Sequence, residues 1–373
     1  MSKGGIILQD KNNPDVFIIF SIVTLLMIGL VMILSASSVR SFNIYGDSFY
    51  FFKRQLFTAS LGIISMLFTM KIDYHIYKKY SRLILLFTFI LLAIVLIPGI
   101  GQLRGGSRRW LGFGPLGFQP STVAKLGIVI YLSQYLSSKK DKMNNFFRGI
   151  VPVIIVLIIT FALILLEPDL GTAVTIAMTS FILIFVAGAK ISHLSFLSIT
   201  GFAAILYFIY SSDYRRERFT AFLDPWGDPL DSGYHIIQSL LALGTGGIFG
   251  VGIGNSKQKY LYLPEPGTDF IFAVLGEELG FVGVFLVLSL YLLFLWRGIR
   301  TAYKAPDLFG TMLAIGLTTM IIIQVFINIG VVTATIPVTG ITLPFISYGG
   351  SSVFIMLTGV GILLNISSNS INK

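Results

Sequence analysis

Residues 151–186 read VPVIIVLIITFALILLEPDLGTAVTIAMTSFILIFV: two long apolar runs with only Glu167, Pro168 and Asp169 between them. A helix needs about 20 apolar residues to cross a bilayer core, so each run is about one crossing long and the Glu-Pro-Asp turn joins them at a surface. Reading outward from this pair gives ten expected spans, near 16–38, 53–71, 82–100, 119–138, 149–167, 170–188, 191–210, 268–297, 308–335 and 345–368. The expected fold is all-α: a polytopic membrane protein of about ten transmembrane helices. It forms a single membrane domain over 1–373, with a large extracellular loop, 211–267, between the seventh and eighth helices.

Composition agrees. Of 373 residues 55% are apolar and 12% charged, against roughly 25% charged in an average soluble chain, and the mean hydropathy is +0.85. This excludes a soluble globular domain, and disorder too, which needs low hydrophobicity and high charge. The net charge of +10 sits mostly in short loops, which suits a membrane surface rather than nucleic acid. With no cysteine, disulfides, thiolate zinc sites and cysteine nucleophiles are excluded. His75, His193 and His235 are too scattered for a histidine-based metal site. The first apolar run is too long for the core of a cleavable signal peptide.

Basic residues choose the side. With a cytoplasmic N-terminus, the inner segments hold Lys3, Lys11, Lys71, Lys78, Lys79, Arg82, Lys139, Lys140, Lys142, Arg148, Lys190, Arg297, Arg300, Lys304 and Lys373. The short outer segments hold Arg40, Lys53, Arg54, Arg104, Arg108 and Arg109. Positive charge favours the cytoplasmic side, and long loops count for little. Both termini are therefore expected in the cytoplasm, with the 211–267 loop outside. Acidic residues run the other way: Asp47, Glu167, Asp169, Asp213, Glu217, Asp224, Asp228, Asp231, Glu265 and Asp269 fall outside.

The long loop is patterned. It carries Arg215 and Arg218, then the turn-rich Asp224-Pro225-Trp226-Gly227-Asp228-Pro229. A stretch from Tyr234 to Leu243 follows, suited to a helix lying in the interface. Gly244, Gly246, Gly247, Gly250, Gly252 and Gly254 then allow close backbone approach to a ligand, or serve as a flexible connector. A second outer loop, Arg104-Gly105-Gly106-Ser107-Arg108-Arg109-Trp110, offers arginines for a phosphate and a tryptophan for an apolar stem, or ordinary interfacial anchoring.

Ionisable groups inside apolar spans are costly, about 2.5–3.5 kcal/mol on insertion scales, and default to functional hypotheses. Lys125 lies within the fourth span, Glu277 and Glu278 within the eighth, and Gln324 and Asn328 in the ninth. Lys125 paired with either glutamate would serve simply to hold helices together. Asp269 is at the outer mouth of the eighth span, where a carboxylate favours the helix dipole or acts as general base on a hydroxyl. The residues alone leave open a transporter or an enzyme acting on an amphiphile.

The run from Leu263 to Gly280, LPEPGTDFIFAVLGEELG, resembles the signature of the SEDS proteins (shape, elongation, division and sporulation). Gly106-Ser107-Arg108-Arg109-Trp110, Gln119-Pro120-Ser121, Pro168-Asp169-Leu170-Gly171-Thr172, Asn255-Ser256-Lys257-Gln258-Lys259 and the stretch from Gly340 to Ser352 agree, in family order, over about 15–368. The branch it most resembles is FtsW/SpoVE. The resemblance implies a peptidoglycan glycosyltransferase that polymerises lipid II, the undecaprenyl-diphosphate-linked substrate. Asp269 matches the family's catalytic aspartate, implied to deprotonate the acceptor's 4-hydroxyl, with inversion at the donor's anomeric carbon. Arg109, Lys125, Arg215 and Arg218 are candidates for the leaving diphosphate. Arg108, Trp110, Gln119, Ser121, Asp169, Lys257, Glu277 and Ser351 complete the expected substrate-binding set. The resemblance fixes no cofactor and leaves room for a divalent cation, magnesium or manganese. The implied partners are membrane lipid and a class B penicillin-binding protein. Two departures stand out: Thr122, where relatives often carry a glutamate on the face of Lys125, and Thr339, where some carry a lysine. A lipid II flippase and a non-catalytic scaffold for cell-wall enzymes are the alternatives.

Overall fold

A computed structural model describes residues 13–104, 107–112, 117–260 and 262–370. Lys3, Lys11, Lys373, Gly105 and Gly106, used above, lie outside that set. The order is α1 (Val16–Tyr45), α2 (Tyr50–Lys71), α3 (His75–Leu96), a hairpin of β1 (Gln102–Arg104) and β2 (Ser107–Trp110), α4 (Pro120–Ser138), α5 (Val151–Leu166) and α6 (Leu170–Val186). Then come α7 (Ile191–Tyr210), α8 (Asp213–Leu223), α9 (Tyr234–Gly246), α10 (Ile271–Lys304), α11 (Leu308–Val332) and α12 (Gly350–Ser368).

Among the described residues seven helices are long and apolar enough to cross a bilayer by themselves: α1, α3, α5 with its preceding π-turn, α7, α10, α11 and α12. The helices α2, α4 and α6 coincide with the other three expected spans, and α6 is shorter, at 17 residues. The fold is a helical membrane bundle. Phe20, Met27, Phe68, Leu83, Phe87 and Ile199 are all exposed on helix exteriors, a surface that only a lipid solvent tolerates. At its centre α11 is buried along nearly its whole length.

The two ends of the bundle differ in chemistry. At the base, Arg297 Nε donates to Asp15 Oδ2 at 2.7 Å, Asp15 N to Ser367 Oγ at 3.1 Å, and Tyr74 OH to Asp307 Oδ1 at 2.6 Å. The first and last described turns thus meet at one end. The other end, the mouth, carries the hairpin, the α5–α6 turn, the starts of α4 and α12, and the 211–267 segment.

Two expectations change, and the expected loop helix is present. The arginine-rich loop is an antiparallel hairpin, with Leu103 opposite Arg108, a small sheet in a fold expected to be purely helical. The helix expected at 234–243 exists as α9, and it is tied down: Ser239 Oγ donates to Val332 O at 2.8 Å. The glycine-rich stretch approaches protein backbone at Gly246 and Gly250, while Gly244, Gly247 and Gly254 face open space. Helix α10 breaks at Gly280 (φ 64°, ψ −165°). Across the break Val251 N and Gly252 N donate to the carbonyls of Glu277 and Glu278 at 3.0 Å each, while Phe281 N and Val282 N donate to Gly247 O and Ile248 O at 2.9 and 3.1 Å. The loop supplies the hydrogen bonds the broken helix lacks. At Gly250 (φ 78°) a β-carbon would lie 2.2 Å from Glu278 O. Gly250→Ala is therefore expected to destabilise the fold. The left-handed conformation alone costs about 1–2 kcal/mol, and the backbone clash adds to it; thermal unfolding in detergent measures the loss.

Candidate functional site

The mouth of the bundle opens into a cavity of about 880 Å³. Its walls come from the start of α2, from β2, from α4 and α6, from the turn before α10, and from the segment between α11 and α12 with the start of α12.

Asp269 sits on the wall, in the turn that leads into α10, half-buried. Among the described residues nothing donates a hydrogen bond to its carboxylate, which lies against Gly340: a β-carbon there would be 3.7 Å from Asp269 Oδ2. Gly340 has φ 75°, so glycine meets a conformational need as well as leaving room. Desolvation pushes the Asp269 carboxyl up to about 6; Glu265 and Asp169 add to the rise, and Arg218 and Arg109 oppose it. A carboxyl titrating just below neutrality is ionised at pH 7 yet more basic than an ordinary aspartate, the property wanted in a general base.

Among the described residues four cationic side chains line the cavity: Lys53, Arg54, Arg109 and Lys125. Lys125, buried on α4, donates from Nζ to Gln324 Oε1 of α11 at 2.7 Å. Its partner is thus Gln324, not Glu277 or Glu278, because α11 rather than α10 packs beside this part of α4. Arg109, on β2, donates from Nε to Glu167 O at 2.7 Å and also to Pro168 O, which ties the hairpin to the α5–α6 turn. Asp169 caps α6, accepting from Thr172 N at 3.1 Å, from Gln119 Nε2 at 3.0 Å and from Ser121 Oγ at 3.2 Å.

Of the expected residues, Asp269, Arg109, Trp110, Gln119, Lys125, Asp169 and Ser351 line this one cavity. The others do not. Ser121 is fully buried and orients Asp169. Arg108 is on β2 but off the cavity wall. Arg215 turns back onto α7, its guanidinium 5.9 Å over the Phe208 ring. Arg218 donates to Val338 O at 3.4 Å, next to the Gly340 segment, and reaches Asp269 through its charge rather than by lining the cavity. Lys257 has an exposed side chain, and its backbone N–H donates to Glu277 Oε1 at 2.9 Å. Glu277 is buried and accepts from Ser256 Oγ as well. Lys257 and Glu277 belong to packing between the long loop and α10, away from the cavity wall.

Sequence reasoning left out Tyr50, Lys53, Arg54, Glu265 and Tyr348, all of which line the cavity. Lys53 and Arg54 entered only the charge comparison. Their place at the start of a span, on the same face as Asp269, was the signal available. Among the described residues no three His, Asp or Glu side chains gather as a metal cage. The donors here suit a divalent cation only as one carried by a diphosphate, the way magnesium commonly binds.

Residues 16–372 match the cell cycle protein family FtsW/RodA/SpoVE. The chain belongs to that family. It is 50% identical over 360 residues to stage V sporulation protein E of Bacillus subtilis (96% of this chain, 98% of that one). It is 44% identical over 354 residues to the probable peptidoglycan glycosyltransferase FtsW of Geobacter sp. strain M18 (95% and 96%). Among solved structures it resembles a chain of a peptidoglycan synthase complex that coordinates polymerization and crosslinking, with TM-score 0.78 and 29% identity over 95% of this chain and 97% of that one. The rod shape determining protein RodA of Thermus thermophilus gives TM-score 0.71 and 28% identity over 96% and 98%.

Proposed function

We propose that this chain polymerises lipid II into glycan strands on the outer face of the cytoplasmic membrane, with Asp269 as general base. The chain is a peptidoglycan glycosyltransferase of the bacterial cytoplasmic membrane, by family and by the names of its relatives. The observation that carries the finer reading is the placement of Asp269: a carboxylate with no hydrogen-bond donor among the described residues, in a cavity it shares with Arg109 and Lys125.

The chemistry follows from those groups. Asp269 accepts the proton of the acceptor sugar's 4-hydroxyl. That oxygen forms a bond to the donor's anomeric carbon as the bond to the lipid diphosphate breaks. The electron pair leaves on the diphosphate, whose charge Arg109 and Lys125 offset, and a single displacement inverts the anomeric centre. A flippase would need a polar path with alternating access. Of the groups such a path would use, Lys125 and Gln324 line the cavity, but Glu277, Glu278 and Asn328 are engaged in packing instead, which favours the polymerase.

Purified protein with a class B penicillin-binding protein and lipid II should yield a ladder of glycan strands on a gel. No ladder, with partner binding confirmed, would overturn the polymerase in favour of a flippase or scaffold. The partner assignment draws support from the polymerization and crosslinking complex that this fold resembles. Orientation has its own test. The chain has no cysteine, so Leu230→Cys, at a position 88% exposed in the long loop, gives one reactive thiol. It should react with a membrane-impermeant maleimide in intact cells, and failure to react would place the mouth on the inner side.

A further inference from the structure

We infer that Asn328 and Ser347 are positioning residues for Asp269, together clamping the turn that carries it against the 340–348 segment. Three consecutive carbonyls of that turn each accept a hydrogen bond from outside it. Gly267 O accepts from Tyr348 N at 2.8 Å, Thr268 O from Ser347 Oγ at 2.6 Å, and Asp269 O from Asn328 Nδ2 at 2.8 Å. The same amide nitrogen of Asn328 donates to Ile341 O at 2.7 Å, so one side chain holds both segments. Ser347 Oγ in turn accepts from Leu343 N at 2.8 Å. Gln55 continues the arrangement, donating to Ser347 O at 3.3 Å and accepting from Gly349 N at 3.2 Å.

This inference rests on the reading of Asp269 as the base. Asn328 and Ser347 are 1% and 2% exposed and do not line the cavity, so neither touches substrate and both act through the turn. What they fix is the carboxylate's position on the cavity wall, against Gly340 and in the space shared with Lys125 and Arg109. Asn328 holds on entirely by donating: its Oδ1 is buried with no partner. The clamp therefore needs the NH2 group itself, and neither a carboxylate nor an apolar side chain replaces it. Reacting atoms must be held about 3–3.5 Å apart with orbitals aligned, and a misplacement of about 1 Å costs ~10²-fold.

The test is steady-state polymerisation by the purified protein with its partner. Asn328→Ala and Ser347→Ala should each lower kcat by ~10²-fold while KM for lipid II stays near the wild-type value. Ser347→Thr, which keeps the hydroxyl, should restore most of the rate. Phe326→Ala, on the exposed face of the same helix, should leave kcat unchanged. In an Asp269→Ala background the two clamp variants should slow the residual reaction no further. Loss of thermal stability with kcat retained, or a rise in KM alone, would overturn the clamp. If the wild type makes no polymer, the polymerase reading fails instead, and amide exchange still decides the clamp. Amides 267–270 should exchange faster in Asn328→Ala, and unchanged exchange would reject it.

Discussion

Asp269→Asn, isosteric and uncharged, is expected to slow lipid II polymerisation by ~10²–10⁴-fold, the usual worth of positioned proton transfer. Lipid II should still bind, because Arg109, Lys125 and the apolar wall are untouched. The wild-type pH profile should carry the same signature. The base works ionised, so kcat/KM falls as pH drops through about 6, the value to which burial pushes this carboxyl, and the limb disappears in the variant's residual rate. Stability should move the opposite way. A carboxyl with a raised folded-state pKa is penalised while it is ionised. The penalty is full above about 6 and vanishes below the ordinary aspartate value, where both states are protonated. At neutral pH the asparagine variant should therefore melt no lower than the wild type. An inactive variant that is also less stable would point to a structural role. Wild-type polymerisation by the variant would remove Asp269 from the mechanism and turn attention to Asp169.

The expected helix segments were readable because crossing a bilayer is a one-dimensional demand. A run such as 151–166 must be apolar for its whole length whatever packs beside it. The position of Asp269 at the mouth of the bundle was readable for a related reason, since it stands where an apolar run begins. What packs against what was not readable. Lys125 and Gln324 are separated by 199 positions, and the pairing follows from α11 occupying the centre of the bundle. Hydropathy assigns α11 no such place. Gly280 resembles any glycine in a membrane helix until its backbone angles are known. The glycines at 246–254 signalled close approach correctly, but the approach is to the break in α10. Those two glycine signals lie some 30 residues apart, and they are the two halves of one joint.

The same joint makes the second large prediction. Beside the break, the side chains of Lys259 and Glu278 are 4% and 0% exposed, with Nζ 3.0 Å from Oε1. Ser35 Oγ of α1 donates to the same Glu278 oxygen at 2.6 Å, and Lys259 Nζ also donates to Gly254 O. Loop, α1 and the first half of α10 are thus joined at one buried ion pair. Removing one partner leaves an uncompensated buried charge, which typically costs ~3–5 kcal/mol, whereas replacing both is often close to neutral. Lys259→Met is therefore expected to lower the unfolding temperature steeply, or to prevent folding, and Lys259→Met with Glu278→Gln to recover most of the loss. Thermal unfolding of the single and double variants in detergent forms the cycle that isolates the pair. Singles costing under ~1 kcal/mol, the range of exposed ion pairs, would mean the clasp is solvated and does not hold the helix. The double variant also separates fold from function. It keeps the helix ladder that the glycine loop completes, so it should still polymerise lipid II. A folded double variant without activity would show that the ion pair, and not the backbone splint, sets the half-helix that follows the Asp269 turn.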